Sequence, residues 1–261
     1  MPDSAEASTP RDEPLAPLPD AAWLAPIARP PALAQRIGAF CEVLLCSGFP
    51  TQLLLIAAVS LAGVPMQRED GLNPQFVFTV SLLDAILVVT LIALLLRAHG
   101  DSARQVLFGR VRVLREAALG IALIPFAFLI VVLVLAIVLT FAPSLHNVPR
   151  NPLEDMLSTR VDAAIFAVVV TLAGGVREEV QRAFIVHRFD RYLGGGLGGV
   201  LFYSVLFGLG HYEQGYDATI ATGLLGAFWG VVYLVRRSII APVVSHAGFN
   251  LAQVLKFLVL R

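Results

Sequence analysis

Long apolar runs separated by short polar segments make up most of this chain. Seven runs are found, at about 38–63, 75–96, 117–141, 161–188, 197–212, 218–235 and 239–258. Apolar runs of about 18 residues or more are typical of membrane spans, and a helix satisfies its own backbone groups inside lipid. The pattern predicts an all-α polytopic transmembrane helical bundle of about seven spans. The range is six to eight, because 142–160 is compatible with a further helix or half-helix.

Composition supports a membrane protein and argues against a nucleic-acid-binding protein. Hydrophobic residues make up 57% of the chain and charged residues 15%, whereas soluble domains carry about 25% charged residues. Membrane lipid is therefore the expected surrounding. The net charge is zero, which does not provide the basic surface that nucleic-acid binding requires. Cys41 and Cys46 lie on different faces of one apolar run, so neither a disulfide nor a metal site is expected there.

The chain before the first run differs from the rest. Residues 1–36 are rich in Pro and Ala, with eight prolines by Pro31, and they are predicted to be a disordered tail. Segment 37–116 is predicted to contain two peripheral transmembrane helices and a basic cytoplasmic linker, and 117–261 the functional core. Asp84, in the second run, is expected to make an interhelical hydrogen bond or to be protonated, with a functional carboxylate as the alternative.

Loop charges predict the orientation. The linker 97–116 holds five arginines against Asp101 and Glu116, and an excess of basic residues marks cytoplasmic loops. The N-terminus is then also cytoplasmic, and the protein is expected in the plasma (inner) membrane. The basic segments 188–191 and 236–237 fall on the same side.

Charged residues inside an apolar helix are expensive and are functional candidates. The fourth run contains Glu178, Glu179 and Arg182. Arg182 is within helical reach of either glutamate, so either can pair with it. Because neighbouring helical residues diverge by about 100°, the two carboxylates are expected to have different tasks, one at a site and one with a structural partner.

Two histidines are predicted to lie at the depth of these glutamates. Glu178 lies 17 residues before Gly195, and His211 lies 16 residues after it, so a helical hairpin would bring the two together. His246 is nine residues from Arg237, or about 13 Å along a helix. Asn250 follows His246 by one turn and shares its face.

These residue types suit peptide hydrolysis. A glutamate beside an arginine is a candidate general base for a water molecule, and a nearby histidine can hold the same water or protonate the leaving amine. A second histidine and an asparagine can donate to the oxyanion of the intermediate. The sequence therefore predicts an intramembrane endopeptidase with a peptide or protein substrate.

Three motifs carry a resemblance to a known family. They are EExxxR at Glu178, Glu179 and Arg182, FxxxH at Phe207 and His211, and HxxxN at His246 and Asn250. In type and order they resemble the CPBP family of CAAX prenyl endopeptidases and bacteriocin-processing membrane proteins, over about 117–258. The resemblance implies a conical helical bundle with a cavity open to the cytoplasm, and a substrate that is a membrane-anchored protein in some members.

The resemblance also implies residue roles. Glu178 and His211 would activate water together, His246 and Asn250 would stabilise the oxyanion, and Glu179, Arg182 and Phe207 would support them. The family was long described as metal-dependent, and a metal-dependent variant is kept as an alternative. No metal and no cofactor is expected, because the chain has no HExxH motif and its candidate ligands come from three separate helices.

Two other functions compete with proteolysis. The first is a non-catalytic membrane immunity or scaffolding protein that retains the same fold, although a scaffold has no need of the His246 and Asn250 pair. The second is a transporter that uses the buried carboxylate as a proton relay, which favours an inverted repeat that the sequence does not show. Serine and aspartyl intramembrane proteases are disfavoured, since neither GxSG nor GxGD occurs.

Overall fold

Helices account for nearly all regular structure in the part of the chain that the structure describes. The structure is a computed structural model that describes residues 30–69, 71–149, 151–155 and 159–260, without the side chains of 154–155 and 256–260. A two-stranded antiparallel hairpin, β1 (Gln67–Arg68) and β2 (Gly71–Leu72), connects two of the helices. The predicted all-α class is therefore confirmed.

Eleven α-helices occur within the described ranges. They are α1 (Leu33–Leu45), α2 (Phe49–Leu61), α3 (Pro74–Ala98), α4 (Ala103–Phe108), α5 (Val113–Phe141), α6 (Pro152–Asp155), α7 (Arg160–Val169), α8 (Glu178–Arg188), α9 (Gly196–Leu209), α10 (Tyr216–Arg236) and α11 (Ile240–Leu260). Short 3₁₀ turns at Pro143–Leu145 and Tyr212–Gln214 precede α6 and α10.

Three of the described helices are long and apolar enough to cross a membrane. They are α3, α5 and α10, and the bent pair α1 and α2 counts as a fourth if it forms one span. Helix α9 and the part of α11 from Ile240 to Leu255 are apolar but shorter. Every predicted apolar run is helical, whereas the count of seven spans stays a prediction.

The first predicted run differs from expectation in two ways. It is broken between α1 and α2, which are bent by 42°, and Gly48 at the break has a φ of +92°, which favours glycine. The other difference is at its start. Helix α1 begins at Leu33, so the last four residues of the predicted tail 1–36 are helical, and 1–29 lie outside the described residues.

The fourth predicted run is interrupted by a change of helix type. Helix α7 passes at Val170 into a π-helical segment that continues to Arg177, where α8 begins. A π-helical turn contains more residues than an α-helical turn and is frequent at functional sites. The residues that follow it, Glu178 and Glu179, thus start α8 directly after this wider stretch.

The main apolar core lies between α3, α5, α8, α9, α10 and α11. Helix α3 contributes Val88, Ile92 and Leu96 to it. Asp84 on α3 is buried and pairs with Arg177. The predicted interhelical contact of Asp84 is confirmed, and this contact links α3 to the segment that leads into α8.

Polar contacts tie the helices together at two opposite ends. At one end, which we call the basic end, Arg188 bonds to Asp101 at 2.8 Å and Arg237 to Asp190 at 2.9 Å. At the other end, His146 lies 2.7 Å from Asp217. The helices between these ends run back and forth, so each end collects every second connection.

Candidate active site

One cavity of about 370 Å³ lies inside the bundle, within the described residues. Glu178, His211, His246 and Asn250, the four residues predicted to be catalytic, all line it. Three separate elements supply them: α8 carries Glu178, the turn after α9 carries His211, and α11 carries both His246 and Asn250. The remaining wall is mostly apolar, with Phe166, Phe207, Trp229 and Phe249 among the lining side chains.

The two adjacent glutamates face different surroundings. The Glu178 side chain is 16% exposed and lines the cavity, whereas the Glu179 side chain is 1% exposed and is enclosed by protein. Arg182 forms its ion pair with Glu179. Of the two pairings that the spacing allowed, the one with Glu178 is therefore not formed, and Glu178 is left facing the cavity.

Two cationic or titratable groups stand close to the Glu178 carboxylate. Arg177 Nη1 lies 3.7 Å from its Oε1, and His246 Nε2 lies 3.7 Å from its Oε2. Arg177 is itself paired with Asp84 on α3. Glu178 therefore sits beside a cation whose charge is already shared, with room for a small polar molecule next to it.

The imidazole of His246 is held by two neighbouring side chains. Its Nδ1 lies 2.8 Å from Glu179 Oε1, and its ring stacks on Trp229 at 3.8 Å with an interplanar angle of 16°. Trp229 Nε1 donates to Ser245 Oγ at 3.1 Å, which holds the indole in place. Because Nδ1 is occupied by Glu179, Nε2 is the ring nitrogen that remains for a ligand in the cavity.

Arg182 lies within an aromatic enclosure. Its guanidinium carbon is 5.2 Å from the ring centre of Tyr203, 5.1 Å from that of Phe207 and 5.8 Å from that of Trp229. Cations over aromatic faces gain about 0.5–2 kcal/mol, more when desolvated. Phe207 also makes edge contacts with the rings of His211 and His246, so this predicted supporting residue separates the two histidines.

His211 has a defined tautomer. Its Nδ1 lies 2.8 Å from the carbonyl oxygen of Phe207. A carbonyl oxygen only accepts, so Nδ1 carries the proton and the neutral ring presents Nε2 as an acceptor. No hydrogen bond joins His211 to Glu178, both of which are described, and the two face the same cavity.

Asn250 lies against the π-helical segment. Its Nδ2 donates to the carbonyl oxygen of Val170 at 3.4 Å. A Cβ built at Gly174 would be 2.7 Å from the same Nδ2, so only a glycine leaves room for the amide. The wide turns of this segment and the lack of a side chain at Gly174 together set the position of Asn250.

The sequence predicts that Asn250 donates to an oxyanion during peptide cleavage. Replacing Gly174 by Ala is expected to displace this side chain and to lower the predicted cleavage rate by about 10-fold, which is less than the cost of about 10²–10³-fold for removing one such donor. Initial rates on a cleaved peptide measure this effect. Gly38→Ala on α1, where an added Cβ meets nothing within 4 Å, is the matched control. Equal cleavage by the Gly174→Ala and Gly38→Ala variants would contradict the placement of Asn250 in the site.

Sequence reasoning missed several residues that hold the site together. Arg177 is next to Glu178 in the sequence, but its partner Asp84 is 93 positions away. Trp229, which orients His246, is one of only two tryptophans and carries no motif. Gln181 accepts from Tyr203 at 2.8 Å, which joins α8 to α9. Charged residues inside apolar runs, Arg177 and Asp84, were the only signals available for this set.

The donor groups of the cavity do not fit a metal site. Among the described residues there is no group of three or more His, Cys, Asp and Glu side chains that could hold a metal ion. Nδ1 of His246 is bonded to Glu179, and Nδ1 of His211 to a backbone carbonyl, so each ring keeps only its Nε2 for the cavity. The steps proposed below use these side chains alone.

The fold and the cavity together define the class of protein. Helices α3, α5 and α10 are long and apolar enough to span a membrane, and buried charged side chains surround a cavity between the helices. Charged groups placed in this way are typical of functional sites in membrane proteins. The chain is an integral membrane protein.

Comparison with protein-family models gives one match. Residues 160–252 match a family described as Type II CAAX prenyl endopeptidase Rce1-like. The match confirms the resemblance predicted from the three motifs and supports membership of the CPBP family. It supports a CAAX-type intramembrane protease function in general terms. Searches of curated proteins and of solved structures gave no match.

Proposed function

We propose that this protein is an intramembrane endopeptidase that hydrolyses peptide bonds with a water molecule activated by Glu178 and His211. The observation that supports the proposal most directly is that Glu178, His211, His246 and Asn250 line one cavity. A buried cavity with a few convergent polar groups is typical of a site for substrate binding and catalysis. The substrate is a polypeptide, and membrane lipid surrounds the helices.

Glu178 is the proposed general base. Its carboxylate is the acidic group that faces the cavity. Among the described residues, Arg177 and His246 are its charged neighbours, each at 3.7 Å, so both oxygens remain accessible to a water molecule. Proton transfer to a positioned carboxylate contributes about 10²–10⁴-fold to catalysis. Neutral His211, with Nε2 as an acceptor, can hold the same water from the side of the turn after α9. The water then attacks the scissile carbonyl carbon, and its proton passes through these groups to the leaving amine.

His246 and Asn250 are the proposed oxyanion donors. Their donor atoms are the Nε2 of His246, for which the role requires the doubly protonated ring, and the Nδ2 of Asn250. Both lie on one face of α11, one turn apart. A preorganised oxyanion donor contributes about 3 kcal/mol in known cases. Because Trp229 and Glu179 hold the His246 ring, little reorganisation is needed when charge develops.

Glu179 and Arg182 are proposed to support the site without touching substrate, and Phe207 is proposed to support it as part of the cavity wall. Glu179 is enclosed by Arg182 and His246, and none of these contacts opens into the cavity. Phe207 fills the space between the two imidazoles. The two proposed roles, Glu178 as base and Glu179 as support, agree with the different surroundings of the two side chains.

Replacing His211 by Ala tests the proposal against its non-catalytic alternatives. The purified full chain in lipid nanodiscs is incubated with a peptide library, and new termini are detected by mass spectrometry. We expect the wild-type protein to cleave and the His211→Ala variant to lose about 10²-fold or more in rate, as for removal of an acid–base group.

His146→Ala is the matched histidine control. His146 is exposed and bonded to Asp217, and it is not among the residues that line the cavity, so its loss is expected to leave cleavage nearly unchanged. Absence of cleavage by the wild-type protein across the library, or equal rates for the two histidine variants, would favour a scaffolding role instead.

A further inference from the structure

The cavity lies toward one end of the helical bundle. From the loops it is lined by Asn151, Leu153 and Gln214. From the helices it is lined by the early part of α3 and α10 and by the later part of α11, for example Val77, Ala218 and Gln253. No lining residue within the described ranges comes from 97–116, 188–193 or 236–239.

These loops form a continuous rim, which we call the cavity end. His146 lies 2.7 Å from Asp217, and Asn147 Oδ1 accepts from the backbone N–H of Tyr216 at 2.8 Å. Asn151 Nδ2 donates to the side-chain oxygen of Gln214 at 3.3 Å. The segment after α5 is thus fastened to the turn before α10, directly over the part of the cavity that holds His211.

The basic end is on the opposite side of the bundle. There Arg188 bonds to Asp101, Arg236 pairs with Glu116, and the backbone N–H of Ile239 donates to the carbonyl oxygen of Leu107 at 2.8 Å. These contacts place the connections 97–116, 188–193 and 236–239 side by side. Helices such as α10, which runs from Tyr216 to Arg236, cross from the cavity end to the basic end.

The two ends differ strongly in charge. The segments 97–116, 188–191 and 236–237 contain nine arginines and three acidic residues. The described residues of the cavity-end segments 62–73, 142–162 and 210–217 contain two arginines and six acidic residues. Lys256, near the end of α11, adds one basic residue there, and the difference remains. Basic residues in short loops are retained in the cytoplasm, so the basic end is cytoplasmic whether α1 and α2 form one span or two half-spans.

From these observations we infer that the cavity is reached from the extracytoplasmic side of the membrane, and that the substrate is an extracytoplasmic polypeptide segment. That the bound polypeptide is a substrate rests on the proposed function, whereas the side from which the cavity is reached rests on topology alone. It differs from the cytoplasm-facing cavity that the family resemblance implies. A cavity that opens to the cytoplasm is incompatible with a cytoplasmic basic end in this fold, because the cavity lies toward the opposite end of the bundle.

Thiol labelling of the full chain tests the side of access. In a background of Cys41→Ser and Cys46→Ala, single cysteines are introduced as Glu213→Cys at the cavity end and as Arg104→Cys at the basic end, both at exposed positions. A membrane-impermeant maleimide is applied to spheroplasts and to inside-out vesicles. We expect Glu213→Cys to react in spheroplasts, and Arg104→Cys to react only in inside-out vesicles. Reaction of Arg104→Cys in spheroplasts, or of Glu213→Cys only in inside-out vesicles, overturns the inference.

A second measurement connects the side of access to the substrate. A polymer-linked maleimide attached at the Glu213→Cys position is expected to slow cleavage of an added peptide, and the same modification at Arg104→Cys is expected to leave the rate unchanged. The reverse result overturns the inference. The labelling pattern is also measured with Glu178→Gln added, and it is expected to be unchanged. Failure of the proposed chemistry and failure of the proposed orientation are thereby distinguished.

Discussion

Replacing Glu178 by Gln is expected to lower peptide cleavage by about 10²–10⁴-fold, because the carboxylate that accepts the proton from water is lost. The fold is expected to survive, since the amide has the same shape and the side chain faces a cavity in which it is 16% exposed. Initial rates on a cleaved peptide and a thermal unfolding curve in the same detergent measure the two quantities separately.

The matched control for this variant is Glu213→Gln. It makes the same chemical change at an exposed glutamate that does not line the cavity, and cleavage is expected to stay near the wild-type rate. If Glu178→Gln cleaves as fast as Glu213→Gln does, the assignment of Glu178 as general base is wrong, whatever the behaviour of His211.

Replacing Arg182 by Met is expected to destabilise the protein by about 3–5 kcal/mol, because it leaves Glu179 as a buried charge without its cation. Both side chains are 1% exposed, so water cannot take over the role of the guanidinium. The contacts of Arg182 with Tyr203 and Phe207 are also lost. Unfolding in mixed micelles measures the change in the free energy of unfolding.

A double variant separates stability from activity at this pair. Glu179→Met combined with Arg182→Met removes both charges, and replacement of a buried pair by apolar residues is often neutral or stabilising. We expect most of the lost stability to return. Cleavage is expected to stay low, because His246 Nδ1 loses the carboxylate that orients its ring. Full recovery of cleavage together with stability would show that Glu179 and Arg182 serve packing alone.

The positions of the helices were predictable because hydropathy reports directly on burial in lipid. The convergence of Glu178 and His211 was predictable for a related reason, since equal arm lengths on either side of Gly195 place two side chains at one depth. The break at Gly48 and the π-helical segment before Glu178 were not predictable. Both depend on backbone hydrogen-bond register, and an apolar side-chain pattern carries no information about register within one run.

The choice of partners within the site was also beyond the sequence. Arg182 can reach residues three or four positions earlier with similar ease, so spacing leaves Glu178 and Glu179 equivalent. The decision comes from outside α8, where His246 on α11 supplies a second partner for Glu179 and aromatic rings from α9 and α10 fix the guanidinium. Such contacts join residues far apart in the chain.

The break between α1 and α2 also bears on how much of the chain is needed for a working enzyme. The carbonyl oxygen of Cys46, at this break, accepts from Gln181 Nε2, and Asp84 pairs with Arg177. Both partners lie upstream of residue 160, where the family match starts. A truncated protein limited to that match would expose an uncompensated arginine and an unpaired amide to hydrocarbon. We therefore expect the minimal folding unit to include α1, α2 and α3, although no recognised motif occurs in them.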